Sequence, residues 1–178
     1  MTIKEAMDCF LKQYNTNRTA EKAASRAISA AVQRNKIYTT KDFSLRAEIR
    51  KQWAAELKNI ADRVKAGSMD EQAYLNQVLD LKKIMNSRFS DVDFRISHSQ
   101  KSISVYLKHL WCMGNLNTPP QCPVDRIILT KIGVNYDDRK WGYVDSIEEH
   151  MRKYELIKEF AQSKGFDSTS EWELIAFC

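Results

Sequence analysis

"SHSQKSISVYLKHLWCMGNLNTPPQCPVDRIIL", residues 97–129, joins an apolar, aromatic helix pattern to a double proline and then to a single aspartate at the start of another helix. Ile103, Tyr106, Leu107, Leu110 and Trp111 recur at helical spacing, which predicts a helix from about Ser99 to Met113. Gly114 stops it, because glycine takes the left-handed backbone angles found past a helix end most readily. "NLNTPPQCP" (115–123) reads as an extended turn, since a residue before proline is pushed out of helical space. "VDRIILTKIG" (124–133) is a short helix, with Pro123 in its approach, where a missing N–H matters least. Lys101 and Lys108, seven apart, share one side of the longer helix, with Ser104 between them.

The flanking sequence is helical on both sides. "TIKE" (2–5) is a capping box, and Ile3, Ala6, Met7, Phe10, Leu11 and Tyr14 follow it at helical spacing. The alanine-rich run from Thr19 to Arg34 holds no glycine or proline and predicts a helix with a small face that another helix can approach closely. "KIYTTKDF" (36–43) breaks the pattern. A long helix then runs from about Asp42 to Lys65, with Leu45, Ile49, Trp53, Leu57, Ile60 and Val64 as its buried stripe and Gly67 at its end. "SMDE" (68–71) is read as a capping box for a helix through Tyr74, Leu75, Val78, Leu79, Leu81 and Met85. "NSRFSDVDFRISHS" (86–99) is polar and irregular, a loop long enough to be functional. "VNYDDRKWGYV" (134–144) is a loop or a short extended pair. "SIEE" (146–149) caps a helix from Ile147 to Ser163 that Gly165 closes, and "STSE" (168–171) caps a last one carrying Trp172, Leu174 and Phe177. No long alternating strand pattern and no repeat occurs. The expectation is an all-α single domain, residues 1–178, of seven or eight helices.

Composition narrows the function classes. Of 178 residues, 43% are hydrophobic and 29% charged, the balance of a soluble globular chain. No apolar run is long enough to span a membrane, and the charged N-terminal segment does not read as a secretory signal. The four cysteines are scattered with no CxxC pair, which favours reduced thiols and a cytoplasmic protein, and leaves no expected metal site or cofactor. The net charge of +5 favours polyanionic partners. Arg18, Lys22, Arg26, Lys41, Arg46, Arg50, Lys51 and Lys58 recur so that helices present a basic stripe, which is either a working surface or a solvated face. Walker-type, GxGxxG, HExxH and GxSxG motifs are missing.

Lys101 and Asp125 carry the chemistry that the segment offers. A helix start and a desolvated cleft both disfavour the charge of a lysine, and a neutral amine is a nucleophile that forms a Schiff base with a sugar carbon. A carboxylate in the first turn of a helix is held ionised, and beside a developing oxocarbenium ion it is an electrostatic catalyst. Taken singly, Asp125 is equally a helix cap and either lysine a solvent-facing side chain of a core helix.

The order of lysine, apolar helix, irregular turn and then a Pro-Val-Asp step opening a glycine-terminated helix resembles the helix-hairpin-helix DNA glycosylases. The resemblance is confined to residues 97–133. It implies that Lys101 in "SQKSISVYL" attacks the sugar anomeric carbon, in members that are also lyases, and that Asp125 in "CPVDRIILTKIG" assists departure of the base. The glycine-rich hairpin of the family has no counterpart, since "FRISHSQKS" holds no glycine. The phosphate contacts of the hairpin then fall to Ser97, His98, Ser99 and Gln100 as a helix start with free N–H groups. Lys108, Lys140, Trp141 and Tyr143 complete the expected nucleic-acid contacts. The two aromatics interleaved with bases suit stacking or wedge insertion, or alternatively a lid over the core. Cys122 beside Pro123 reads as buried rather than nucleophilic.

The resulting expectation is a DNA-binding helical protein, a DNA glycosylase of DNA repair that hydrolytically excises a flipped-out modified or damaged base. A non-catalytic nucleic-acid-binding or regulatory protein is the second reading. The third is an interaction module whose Ala-rich helix packs on a partner.

Overall fold

The helix of the quoted segment, Ile96–Cys112, is buried along its whole length: all 17 of its residues are out of solvent. It is the axis around which the rest is arranged. The computed structural model describes residues 1–32, 37–67, 69–135 and 140–178, and among these the chain is all-α, with eight α-helices. They are α1 (Ile3–Tyr14), α2 (Ala20–Val32), α3 (Phe43–Ala66), α4 (Glu71–Arg88), α5 (Ile96–Cys112), α6 (Arg126–Lys131), α7 (Ile147–Ser163) and α8 (Thr169–Phe177), with a 3-10 turn at Trp141–Tyr143. Helices α1, α2, α3, α4 and α7 and the 3-10 turn all pack on α5.

Local sequence explains most of the boundaries. Thr2 and Glu5 close the capping box of α1 reciprocally, at 2.7 and 3.3 Å. Asp42 caps α3 by accepting from Ser44 N and Leu45 N, and Ser146 and Ser168 cap α7 and α8 from Glu149 N and Glu171 N. Gly114 takes φ +76° just past α5, a conformation that a side chain would strain. The small face of α2 (Ala23, Ala24, Ala27 and Ala31) is buried, and α2 makes the most extensive contact with α5. Ala side chains let the two backbones come close, which is how a polar helix is sealed from water on that side.

Three boundaries depart from the sequence reading: the start and the end of α4 and the start of α5. Ser68, the expected cap of α4, lies outside the described residues, and Asp70 performs that role by accepting from Ala73 N at 2.7 Å. The expected end of α2 at Arg34 also lies outside the described residues, as do Tyr136–Arg139 of the 134–144 segment. The expected long loop at 86–99 shrinks to seven residues, 89–95, because α4 persists to Arg88 and α5 begins at Ile96. That loop is pinned at both ends. Asp93 N donates to Ile37 O at 2.8 Å and Thr39 N to Asp91 O at 3.0 Å, around an antiparallel bridge of Tyr38 with Val92. The Asn86 side chain clamps both backbone groups of Phe94, at 2.7 and 3.1 Å.

The apolar core forms three clusters; Met151 of α7 packs against the first and second, and Met113, just past α5, against the first and third. The largest fills the space among α2, α3, α4 and α5 around Trp53, Tyr74 and Phe94. A second lies among the proline turn, α6, α7 and α8, and a third ties α1 to α8 and the last turn of α5. Among the described residues, no helix is long and apolar enough to cross a membrane.

Candidate functional site around Lys101 and Asp125

The proline turn is anchored before it reaches Asp125. Pro119 O accepts from Ser170 Oγ at 2.9 Å, and Pro120 O accepts from Tyr154 OH at 3.2 Å. The His150 ring and the Gln121 side chain meet at 2.9 Å. Two prolines in succession supply no N–H groups, so this stretch docks through its carbonyls and the next side chain. Gln100 then reads the backbone of Val124 on both sides, donating Nε2–H to its O at 2.8 Å and accepting its N–H at 3.2 Å. An amide is the side chain that can do both at once.

This places the next residue over Lys101. Asp125 is the N-cap of α6, in extended backbone geometry, and its Oδ1 accepts from Ile128 N at 2.9 Å. Its Oδ2 accepts from Lys101 Nζ, so the two expected catalytic residues form one ion pair. The residues are 7% and 6% exposed. The Trp141 ring lies over the ammonium, 5.8 Å from Nζ to the centroid, within cation–π range. Burial alone would raise the Asp125 carboxyl, but the Lys101 charge and hydrogen bond, with the Ile128 N–H, outweigh it and hold the group below the usual range. A neighbouring crevice between Ser97, Gln100, Val124, Trp141 and His150, which neither Lys101 nor Asp125 lines, is too narrow for a water molecule.

The remaining expected contacts fall elsewhere. Because α5 begins at Ile96, Lys101 sits in its second turn rather than at its start. The first N–H groups of α5 are not free to take a phosphate: Ile96 N donates to Asp145 Oδ1 at 3.2 Å and Ser97 N to Val144 O at 3.0 Å. His98 N and Ser99 N both donate to Arg95 O. Ser97, His98, Ser99 and Gln100 are themselves buried, against the expectation of an open helix start. Ser97 Oγ donates to Gly142 O at 3.0 Å, and His98 Nδ1 accepts from Arg95 N at 3.0 Å. His98 Nε2 and Ser99 Oγ have no hydrogen-bond partner among the described residues. Burial, helped by Arg95, pushes the His98 imidazole down to about 4, so it is neutral at pH 7.

Lys108 is not a solvent-facing lysine either. It donates to both carboxylate oxygens of Glu173 on α8, at 2.8 and 3.0 Å, with the Phe10 and Phe177 rings each 4.5 Å from its ammonium. Ser104, between the two lysines, is bonded to Tyr74 OH of α4. Lys140 is exposed, Trp141 half-buried, and Tyr143 74% exposed with the Arg95 guanidinium 5.4 Å over its ring. Cys122 is buried, and burial pushes its thiol well above the usual range, which leaves it protonated and inert. Among the described residues, no three His, Cys, Asp or Glu side chains gather as a metal site.

Sequence reasoning missed Glu173 and the Gln121–His150 contact, because partners 65 and 29 residues away leave no local signal. It also missed Gln100 as the residue that sets the register of the turn. No family profile matches the chain, and no curated protein and no solved structure matches it.

Proposed function

We propose that this chain is a DNA-binding helical protein that excises a base through Lys101 and Asp125. One observation carries the reading. Two side chains 24 residues apart meet as a buried ion pair, with the carboxylate fixed on a helix N-cap. A buried ion pair is often no more stable than apolar residues of the same volume. Places where a sequence departs from the best choice for stability are expected to be functional ones.

The chemistry is balanced within the pair and the substrate. A nucleotide turned out of its stack presents C1′ to Lys101. The ammonium gives its proton to the departing base, the amine nitrogen bonds to C1′, and the C1′–N glycosidic bond breaks. Asp125 stays ionised and stabilises the positive charge that develops on the sugar. The substrate reaches the pair when Trp141 moves off the ammonium, so binding and opening are coupled in this reading.

The burial of both partners, with Trp141 over the ammonium, favours a second reading, in which the pair is an internal strut of a non-catalytic nucleic-acid-binding protein. Incubation with duplex oligonucleotides bearing deaminated, oxidised or alkylated bases separates the two. Excision predicts release of free base from at least one substrate, slowed at least tenfold in Lys101→Arg, about 1.4 kcal/mol of barrier. That variant keeps the charge opposite Asp125 but supplies no amine. Binding that falls steeply with salt, with no base released from any substrate, would leave the strut reading in its place.

A further inference from the structure

Phe43 is the most exposed large apolar side chain among the described residues, at 82%, and it opens α3 beside two arginines. Arg46 lies between two rings, its Cζ 5.8 Å from the Phe43 centroid and 5.3 Å from that of Tyr38. Arg46 Nε also donates to Thr40 O at 2.9 Å, which fixes the plane of the guanidinium. One turn further on, Arg50 donates to Ser29 Oγ of α2 at 3.0 Å and to Tyr38 OH at 3.5 Å. Tyr38 is in turn held by its bridge to Val92. The result is a fixed row of ring, guanidinium, ring and guanidinium across the α2–α3 face.

The charge of this face is one-sided. Phe43, Arg46 and Arg50 lie three and four residues apart and so share a side of α3. Glu48 is two residues from Arg46 and Arg50 and points elsewhere. Asp42 is spent on the cap of α3, accepting from Ser44 N and Leu45 N. Lys41 is exposed next to it. Each guanidinium has five N–H donors, more than these contacts use. At the other end of the basic stripe the situation differs, since Arg18 is paired with Asp8 at 2.9 Å and Arg26 Nε donates to Tyr14 O at 3.2 Å.

From this row we infer that the Tyr38–Phe43–Arg46–Arg50 face binds a single strand of nucleic acid, with a base stacked on the open face of Phe43 and phosphates on Arg50 and Lys41. An exposed ring beside fixed cations suits a strand whose bases are unpaired, because every base offers a π-face and every linkage a negative charge. A flat acidic protein surface would satisfy the arginines but not the ring. The inference deepens the DNA-binding part of the proposal above and does not depend on Lys101 being a nucleophile.

Fluorescence anisotropy with a labelled oligothymidylate and with an abasic strand of the same length tests it. Phe43→Ala should weaken binding to the oligothymidylate at least fivefold and leave the abasic strand nearly unchanged, since the abasic strand has no base to stack. Arg50→Ala should weaken both and lower the salt slope by ~0.7, the value of one phosphate contact on a single strand. Lys164→Ala, which removes the same charge at the end of α7, should leave the slope within half that change. Oligothymidylate affinity unaltered by both Phe43→Ala and Arg50→Ala would overturn this surface while leaving the DNA reading standing. Failure of the unaltered protein to bind single-stranded or duplex DNA would overturn both.

Discussion

Lowering the pH from 7 to 4 is expected to remove several kcal/mol of stability from this fold. Burial holds His98 and His150 down to about 4 and His109 to about 3, with Arg95 adding to the effect at His98 and Lys108 and Arg26 at His109. All three rings are 1% exposed. The unfolded chain binds a proton on each near pH 6.5, whereas the folded chain resists until about 4 or below. Between those limits the unfolded state carries more protons, so stability is full above pH 6.5 and falls as the pH drops. Each histidine is worth on the order of 3 kcal/mol across the window. Urea unfolding at pH 7, 6, 5 and 4.5 should show the free energy falling throughout. His109→Phe, which keeps a ring 4.6 Å from the position of Phe10, should flatten the slope by roughly a third. A free energy level between pH 7 and 5 would mean that the three rings are hydrated or already charged in the fold.

The second large effect belongs to Lys108 and Glu173. Their side chains are 5% and 2% exposed, and the ammonium sits between two phenylalanine rings. Glu173→Leu leaves that ammonium buried without a counter-charge and should cost about 3–5 kcal/mol. The double variant Lys108→Met with Glu173→Leu removes both charges and keeps the volume, so most of the loss should return. A double-mutant cycle by denaturant unfolding therefore yields a large coupling between the two sites. A cost below about 1 kcal/mol for Glu173→Leu alone would mean that water reaches Lys108.

These two effects mark where sequence was legible and where it was not. Thr2, Asp42, Ser146 and Ser168 could be read as helix starts because a cap acts within three residues. The stripe Ile49, Trp53, Leu57 and Ile60 could be read because its period is that of the helix. Helix α5 could be read as a helix but not as an axis. Its apolar face is ordinary, and its serines, lysines, glutamine and histidines predict an open polar face. In the fold that face is closed by distant partners: Trp53 Nε1 on Ser102 Oγ at 3.0 Å, Tyr74 on Ser104, Val124 on Gln100 and Glu173 on Lys108. Each partner lies 24 to 65 residues away, so no window of sequence contains both halves. The early start of α5 has the same cause, because the acceptors for Ile96 N and Ser97 N come from residues 144 and 145. Pairing Lys101 with Asp125 could be foreseen from the order of the motif, whereas the depth at which they meet could not.

That depth sets the demand on the central claim, since an amine under Trp141 must become accessible to a sugar. Trapping with borohydride reads this directly. A Schiff base between an amine and C1′ accepts hydride and becomes a permanent bond, while an ionic contact leaves nothing after denaturation. The protein is incubated with the lesion-bearing oligonucleotide in borohydride, digested, and the adducted peptide mapped by mass spectrometry. The account predicts one adduct, on Lys101, lost in Lys101→Arg while the circular dichroism and melting temperature of that variant stay close to those of the unaltered protein. No adduct on any substrate, or an adduct on a surface lysine that persists in Lys101→Arg, would contradict it.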